Sequence, residues 1–271
     1  MTMGTHSISP RPNPFGYSPP ASIAGLAARQ SFIHNFLSIC PDTRALWVPK
    51  TGDTTTSTSV DRNARTITWD ATIASRMSTL GSGLSLAFTA ASSQYGNIPD
   101  AANLSFGDGS TDSAFTIMAL LKVNNTAALK QILSKYTSGV REYAFNIDSA
   151  EKVAFGIFDE SANAELNRSF NTALATDTWM LLEAVYTGSG AIGGLSIRRN
   201  SVQVDDTTTT SGIYTAMENL TSAVKIGADS ATPADFFDGS IAFVGLAAKA
   251  ISADESWALK ALVNSYHGLS L

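Results

Sequence analysis

From residue 45 onward, apolar residues recur at every second position in short runs, broken by Gly, Ser, Asn and Asp. A period of two points alternate side chains to opposite faces, which is the pattern of strands. Ala45–Val48, Thr66–Trp69 and Leu84–Phe88 open the series. Ala114–Val123 carries Phe115, Ile117, Ala119, Leu121 and Val123 on one face but Met118 and Leu120 on the other, so it predicts a strand covered on both sides. Tyr143, Phe145 and Ile147 alternate before the connection Ser149-Ala150-Glu151-Lys152, and Val153, Phe155 and Ile157 alternate after it, as in a hairpin. Trp179–Tyr186, Leu195–Val204 (with a turn at Arg199-Asn200-Ser201), Ala223–Gly227 and Ser240–Ala248 bring the set to about a dozen strands. Thr54–Ser59 reads as an exposed loop. With no helices interleaved, the pattern predicts an all-β fold, a two-sheet antiparallel jelly-roll sandwich rather than a parallel α/β sheet.

Two segments switch to the helical period. In residues 22–39, Ile23, Leu26, Ala27, Ile33, Phe36, Leu37 and Cys40 fall near one face, with Ser22 as N-cap and Pro41 as the stop. Two readings of that face are open: packing on the chain's own domain, or docking on a neighbouring subunit. At the other end, Ser252 and Glu255 form a capping box, Trp257, Ala261 and Leu262 supply an apolar face, and Gly268 is a C-terminal stop. A helix this late is expected to cover an open end or edge of the sandwich. Residues 1–20 hold five prolines, Pro10, Pro12, Pro14, Pro19 and Pro20, which favour an extended arm. The chain thus divides into an arm and helix over 1–44 and a sandwich over 45–271. Pro12, Pro14, Phe15 and Tyr17 of the arm, with Ile23, Leu26, Ile33, Phe36 and Leu37 of the helix, are the candidate assembly residues.

Composition narrows the function. Charged residues are 15% of the chain, against about 25% in an average soluble protein, so Ser, Thr, Ala and Gly must solvate the surface. Net charge is −5 and Arg198-Arg199 is the densest basic spot, which argues against a nucleic-acid partner. No basic amphipathic helix and no long apolar run suggests a membrane. Met1–Pro14 lacks the pattern of a signal peptide, so no Sec-type export is expected. The lone Cys40 reads as a small buried hydrophobe. His6, His34 and His267 fit no zinc spacing. Asn103, Asn124, Asn167 and Asn219 begin glycosylation sequons, which chance explains in a Ser/Thr-rich chain. Gly188-Ser189-Gly190-Ala191-Ile192-Gly193 matches the dinucleotide fingerprint but leads into a strand, so it lacks the helix N-terminus that would hold phosphate.

Five segments, in order, resemble one family: Leu46-Trp47 followed by Asp61-Arg62-Asn63; Gly81–Phe88 leading to Tyr95-Gly96-Asn97-Ile98-Pro99; Phe115–Ala119 followed by Ile132–Tyr136; Thr178-Trp179 and the strand pair ending in Arg199-Asn200-Ser201-Val202; and Ile226-Gly227-Ala228 with Phe237–Ile241 and the helix start at Ile251–Glu255. Over about residues 45–271 the chain resembles the concanavalin A-like lectin/glucanase superfamily, in its laminin-G-like (pentraxin-like) branch. One departure is Asn200-Ser201, where the family often reads Asn-Gly. The resemblance implies binding of carbohydrate or protein surfaces, often with one calcium ion, for which Asp61, Asn63 and Asp238 are the candidates; by themselves Asp238-Gly239 also reads as a plain turn and Asp61 as a loop cap. Some members are glycosidases. Their Glu-x-Asp-x-x-Glu strand is not formed by Glu151, Asp159, Glu160, Glu165 or Glu183, and Asp159-Glu160 reads as a solvated turn.

The combined expectation is a non-catalytic structural protein of a tailed-phage virion, either a capsid decoration protein or a head or tail fibre component, displaying a lectin-like domain at the virion surface. Ordering the proline-rich arm costs entropy that a partner surface would offset, so homo-oligomers or capsid or tail proteins are the expected partners. The alternative is a carbohydrate-binding module, with Tyr95, Tyr136 and Tyr214 stacking on glycans; a glucanase-type glycosidase is a third reading.

Overall fold

The computed structural model describes residues 21–124, 127–229 and 232–271, with side chains from residue 25. The arm residues Pro12, Pro14, Phe15 and Tyr17, and the side chain of Ile23, lie outside this range. In chain order the elements are α1 (Ala21–Ile39), β1 (Thr43–Trp47), β2 (Thr56–Thr58), β3 (Thr66–Trp69), β4 (Met77–Leu80), β5 (Gly83–Phe88), β6 (Gly96–Ile98), β7 (Phe115–Val123), β8 (Lys130–Lys135) and β9 (Tyr143–Ile147). Then follow β10 (Val153–Asp159), β11 (Ala164–Ser169), β12 (Met180–Tyr186), β13 (Leu195–Arg199), β14 (Val202–Gln203), β15 (Thr207–Ser211), β16 (Val224–Ile226), β17 (Gly239–Ala247) and α2 (Ala253–His267). The first sheet runs β14-β13-β12-β7-β17-β5-β4, and the second β15-β11-β10-β9-β8-β16-β6-β3-β2. Every named pairing is antiparallel. In the first sheet β17 takes two partners on one side, β5 along Gly239–Ile241 and β1 along Val244–Ala247.

The two sheets face each other across one apolar core. Trp47, Trp69, Phe88, Phe115, Tyr143, Phe145 and Phe155 are among its buried members. Phe106 and Phe115 stack at 4.4 Å. The odd-numbered residues of β7 point into this core, as the alternation requires.

The even-numbered residues Met118 and Leu120 point the other way, into a second apolar layer with Leu46, Leu181, Val185, Ala242 and Phe243. Both helices cover it. Phe32, Ile33 and Phe36 of α1 and Leu259, Val263 and Tyr266 of α2 are buried there, and the rings of Phe32 and Tyr266 stack at 4.5 Å. Helix α1 approaches so closely that a Cβ on Gly245 would sit 3.0 Å from Phe36 Cζ. Of the two readings of this helix, packing on its own domain is therefore the one observed. Ile33 and Phe36 are consumed inside the chain, Leu37 is half-buried, and Leu26 alone of the candidate docking side chains described is exposed.

Several expectations need correction. Ala21 is already helical, so Ser22 lies within the helix rather than capping it. The inward face of α2 is Ser256, Leu259, Val263, Tyr266 and His267; Trp257 faces out under the Lys260 ammonium, 4.5 Å from the ring centre. The helix lies on a sheet face, not on an edge, because that face is apolar on its outer side as well. Its capping box at Ser252 and Glu255 and its left-handed Gly268 stop are as expected. Thr54–Ser59 contains strand β2, with Ser57 and Ser59 buried. Asp159 is buried, accepting the backbone N–H of Ala162 and Thr215. Cys40 is buried beside Met118 Sδ at 3.9 Å, and burial pushes its thiol up to about 12, which rules out a thiolate nucleophile near neutral pH.

Candidate functional site

Among the described residues, no helix covers the outer face of the second sheet. Tyr143, Phe145 and Ile147 of β9 and Val153, Phe155 and Ile157 of β10 point into the core, so Ala144, Asn146, Gly156 and Phe158 point outward. Antiparallel register then sets neighbours across strands. Gly156 lies between Ala144 on β9 and Asn167 on β11; Asn146 faces Gln131 on β8; Phe158 faces Glu165. The two smallest side chains, Ala144 and Gly156, are adjacent, and the surface dips over them into a groove of about 200 Å³. Gly156 has ordinary strand geometry, so its glycine serves space rather than backbone strain. A Cβ there would stand 3.1 Å from Asn167 Nδ2 and 3.3 Å from Phe158 Cζ.

One wall is aromatic. Tyr136 packs edge-on against Phe158 at 5.1 Å, and the Arg141 guanidinium lies over the Phe158 ring at 5.2 Å. Arg141 is already engaged, ion-paired with Glu160 and donating to Asn163 Oδ1 at 2.8 Å. The opposite wall is the loop between β16 and β17. It is bridged at Asp229 and Ala234, and tied to the floor where Gln131 N–H donates to the Asp235 carbonyl at 2.9 Å. This loop aims Asp229 and Asp235 at the groove. Burial, reinforced by the charge of Asp235, pushes the Asp229 carboxyl up to about 6.

Two buried acceptors in this lining have no donor among the described residues: Oε1 of Gln131, in a side chain 3% exposed, and Oδ1 of Asp229, 6% exposed. Buried polar atoms are almost always paired, so these two are open acceptors for a donor from a ligand or ordered solvent. A second hollow of about 360 Å³ lies beside β2, lined by Thr54, Thr56, Ser57, Thr58 and Thr66, with Lys50 and Asp53 already paired at 3.9 Å. It contains no unpaired buried group among the described residues and suits a site less well.

Of the predicted sugar contacts, the groove takes Tyr136 alone. Tyr95 packs against Phe236, with the Lys225 ammonium 5.6 Å from its ring centre, outside the lining. Tyr214 donates its hydroxyl to Asp112 Oδ2 at 2.7 Å, sharing that carboxylate with Tyr186, so its polar end is internal.

The predicted calcium set does not assemble. Asp61 accepts the N–H groups of Leu46 and Asn63 and the side-chain amide of Asn63, acting as a loop cap. Asp238 accepts from the Ala90 N–H and the Asn124 amide. Leu46 pairs with Gly245 and Asp238 precedes Gly239, so six strand residues, about 20 Å, separate the two carboxylates along β17. One ion cannot bridge that distance, and among the described residues no group of three acidic, His or Cys side chains forms an alternative metal cage.

The residues missed in the sequence, Gln131, Asn146, Gly156, Asn167, Asp229 and Asp235, are an outward row drawn from four strands and a loop. Their common signal was small or amide residues at outward positions of adjacent strands, where the first sheet has Met, Leu and Phe.

The same fold recurs in solved structures. The binding domain of Paraclostridial Mosquitocidal Protein 1 superposes with a TM-score of 0.60 at 8% identity, over 84% of this chain and 53% of that one. The binding domain of Botulinum Neurotoxin DC in complex with SialylT gives 0.58 at 13% identity, over 84% and 52%. The botulinum neurotoxin serotype D ligand binding domain in complex with N-acetylneuraminic acid gives 0.55 at 10% identity, again over 84% and 52%. The chain thus spans about half the length of these domains, and at such identities the likeness is one of fold. No curated protein matches it in sequence. The family model of the laminin G-like group matches residues 90–255, more than half of the chain, and the protein belongs to the concanavalin A-like lectin/glucanases superfamily.

Proposed function

We propose that this protein is a non-catalytic, lectin-like module that holds a glycan in the groove on the outer face of its second sheet. The carrying observation is the pair of buried acceptors in the groove lining, Gln131 Oε1 and Asp229 Oδ1, that lack donors among the described residues. Sugars bring closely spaced hydroxyl donors and apolar ring faces, and the lining offers amides and carboxylates beside the Tyr136–Phe158 aromatic pair. Fold relatives seen with sialic-acid ligands are consistent with this reading.

A glycosidase fits less well. Hydrolysis needs two carboxyl groups about 5–10 Å apart on either side of the scissile bond. Here Asp229 and Asp235 lie within hydrogen-bonding reach of each other, and Glu165 is held by the Asn167 amide at 3.1 Å. A glycan array tests the binding reading: discrete hits that Gly156→Leu abolishes are expected, and an array without hits would contradict it. Turnover of a β-glucan panel would replace it with the enzymatic reading.

The finer proposal is display of this module on a tailed-phage virion, as a capsid decoration protein or a head or tail fibre component, in homo-oligomers or against capsid or tail proteins. The low-charge, Ser/Thr-rich surface and the proline-rich residues 1–20 favour it. With Ile33 and Phe36 spent internally, the arm residues Pro12, Pro14, Phe15 and Tyr17 and the exposed Leu26 carry the assembly proposal. Removal of residues 1–20 should strip the protein from particles; unchanged occupancy would refute this role.

A further inference from the structure

The charge of the groove selects among sugars. Its lining holds three carboxylates, Glu165, Asp229 and Asp235, against one cation, Arg141, which Glu160 neutralises. The next cation, Lys225, lies outside the lining, donating to Asn97 Oδ1 at 3.1 Å and lying over Tyr95, where it feels the Asp229 charge only at a distance. The buried atoms without partners are both acceptors. Asp229 and Asp235 face each other with no cation between them among the described residues, and two carboxylates so placed need a shared proton or an intervening donor. A carboxylate-bearing sugar would add a fourth negative charge to this wall. A protonated amine would supply up to three donors and offset the charge.

From this arrangement we infer that the groove prefers glycans with free amino groups, 2-amino-2-deoxyhexose units, over their N-acetylated counterparts, and excludes sialylated ones. The inference rests on the glycan-binding reading and specifies its ligand class. The ammonium donates to Asp229 and Asp235 from the groove side, and the sugar ring packs towards the Tyr136–Phe158 wall.

The test is calorimetry with three probes at physiological salt: a glucosamine tetramer, an N-acetylglucosamine tetramer and sialyllactose. The amine tetramer should bind at least about tenfold more tightly than the acetylated one, the scale of one charge-assisted hydrogen bond, and sialyllactose should not bind. A polycation is drawn to any chain with net charge −5, so Asp235→Asn is the control. Asp235 sits at φ 48°, a left-handed conformation that Asn adopts readily, and it is only half-buried, so the variant should fold. It should erase the preference for the amine; general attraction would survive the loss of one acidic residue among 23. Equal or tighter binding of the acetylated tetramer, a preference that persists in Asp235→Asn, or binding of sialyllactose overturns the inference but leaves the groove as a sugar site. Binding of none of the three probes overturns both.

Discussion

The outer faces of the two sheets started from the same alternation and ended differently. On the first sheet the outward residues are Met118, Leu120, Leu181, Val185 and Phe243, and two helices bury them. On the second they are Gln131, Ala144, Asn146, Gly156 and Asn167, and among the described residues no helix lies over them; they line the groove instead. A sheet face that stays polar and small is left free for recognition, while an apolar one recruits helices from both ends of the chain. The helices are therefore part of the core, and the groove proposed for binding lies on the other sheet.

The covered face should be the costly one to disturb. Phe36 is fully buried, with its ring 5.6 Å from that of Phe243. Phe36→Ala should lower unfolding free energy by about 3–5 kcal/mol in a denaturant titration and leave glycan affinity unchanged. A small loss would mean that α1 is a detachable docking element after all.

The next effect is pH-dependent. Glu183 of β12 points into the covered layer and accepts the Ser256 hydroxyl of α2, while its second oxygen is buried without a partner among the described residues. Burial pushes its carboxyl up to about 7 from an ordinary 4.5. Between those values the folded chain keeps a proton that the unfolded chain has lost, so stability falls as pH rises through this window, by about 3 kcal/mol in all. Glu142, also raised to about 7 by burial, adds a slope of its own. Glu183→Gln mimics the protonated form, and the difference between its stability profile and the wild type isolates this one group. Parallel profiles would show that Glu183 is ionised in the fold.

How much of this was legible in the sequence follows from the same contrast. Strands such as β7, β9, β10, β12 and β17 were readable because apolar residues mark them. Strands β2, β11 and β15 were not: β15 is Thr-Thr-Thr-Thr-Ser, and β11 turns only Leu166 and Ala164 towards burial. These strands at or next to the sheet's edges hold their place through ladder hydrogen bonds to their neighbours, a non-local term that no window of sequence contains. Met118 and Leu120 correctly signalled a covered face. The inward side of α2 was misread because Trp257 dominated the pattern, and its ring instead lies under Lys260. The groove was nearly invisible, since register between β8, β9, β10 and β11 creates it; of the three tyrosines singled out, only Tyr136 reached it.

Two smaller effects sharpen the assignment of the open face. Gly156→Leu places a side chain on the groove floor, where a Cβ alone already meets Asn167 and Phe158 closely. Glycan affinity should drop by about tenfold or more, and stability by about 1–2 kcal/mol from the crowding, read by calorimetry and denaturation together. Tyr214→Phe removes one of the hydroxyls on Asp112 and should cost about 1 kcal/mol of stability with no change in affinity. Loss of binding in that variant would return Tyr214 to the site.

The central claim is that the uncovered face of the second sheet is the sugar-binding face. Titrating the isotope-labelled protein with the glucosamine tetramer and following backbone amide shifts tests it most directly. Shifts should concentrate at Gln131, Asn146, Gly156, Asn167 and Asp235 and leave α1 and α2 still. Shifts clustered instead around Leu26, Val202 and Trp257 on the helix-covered side would contradict it.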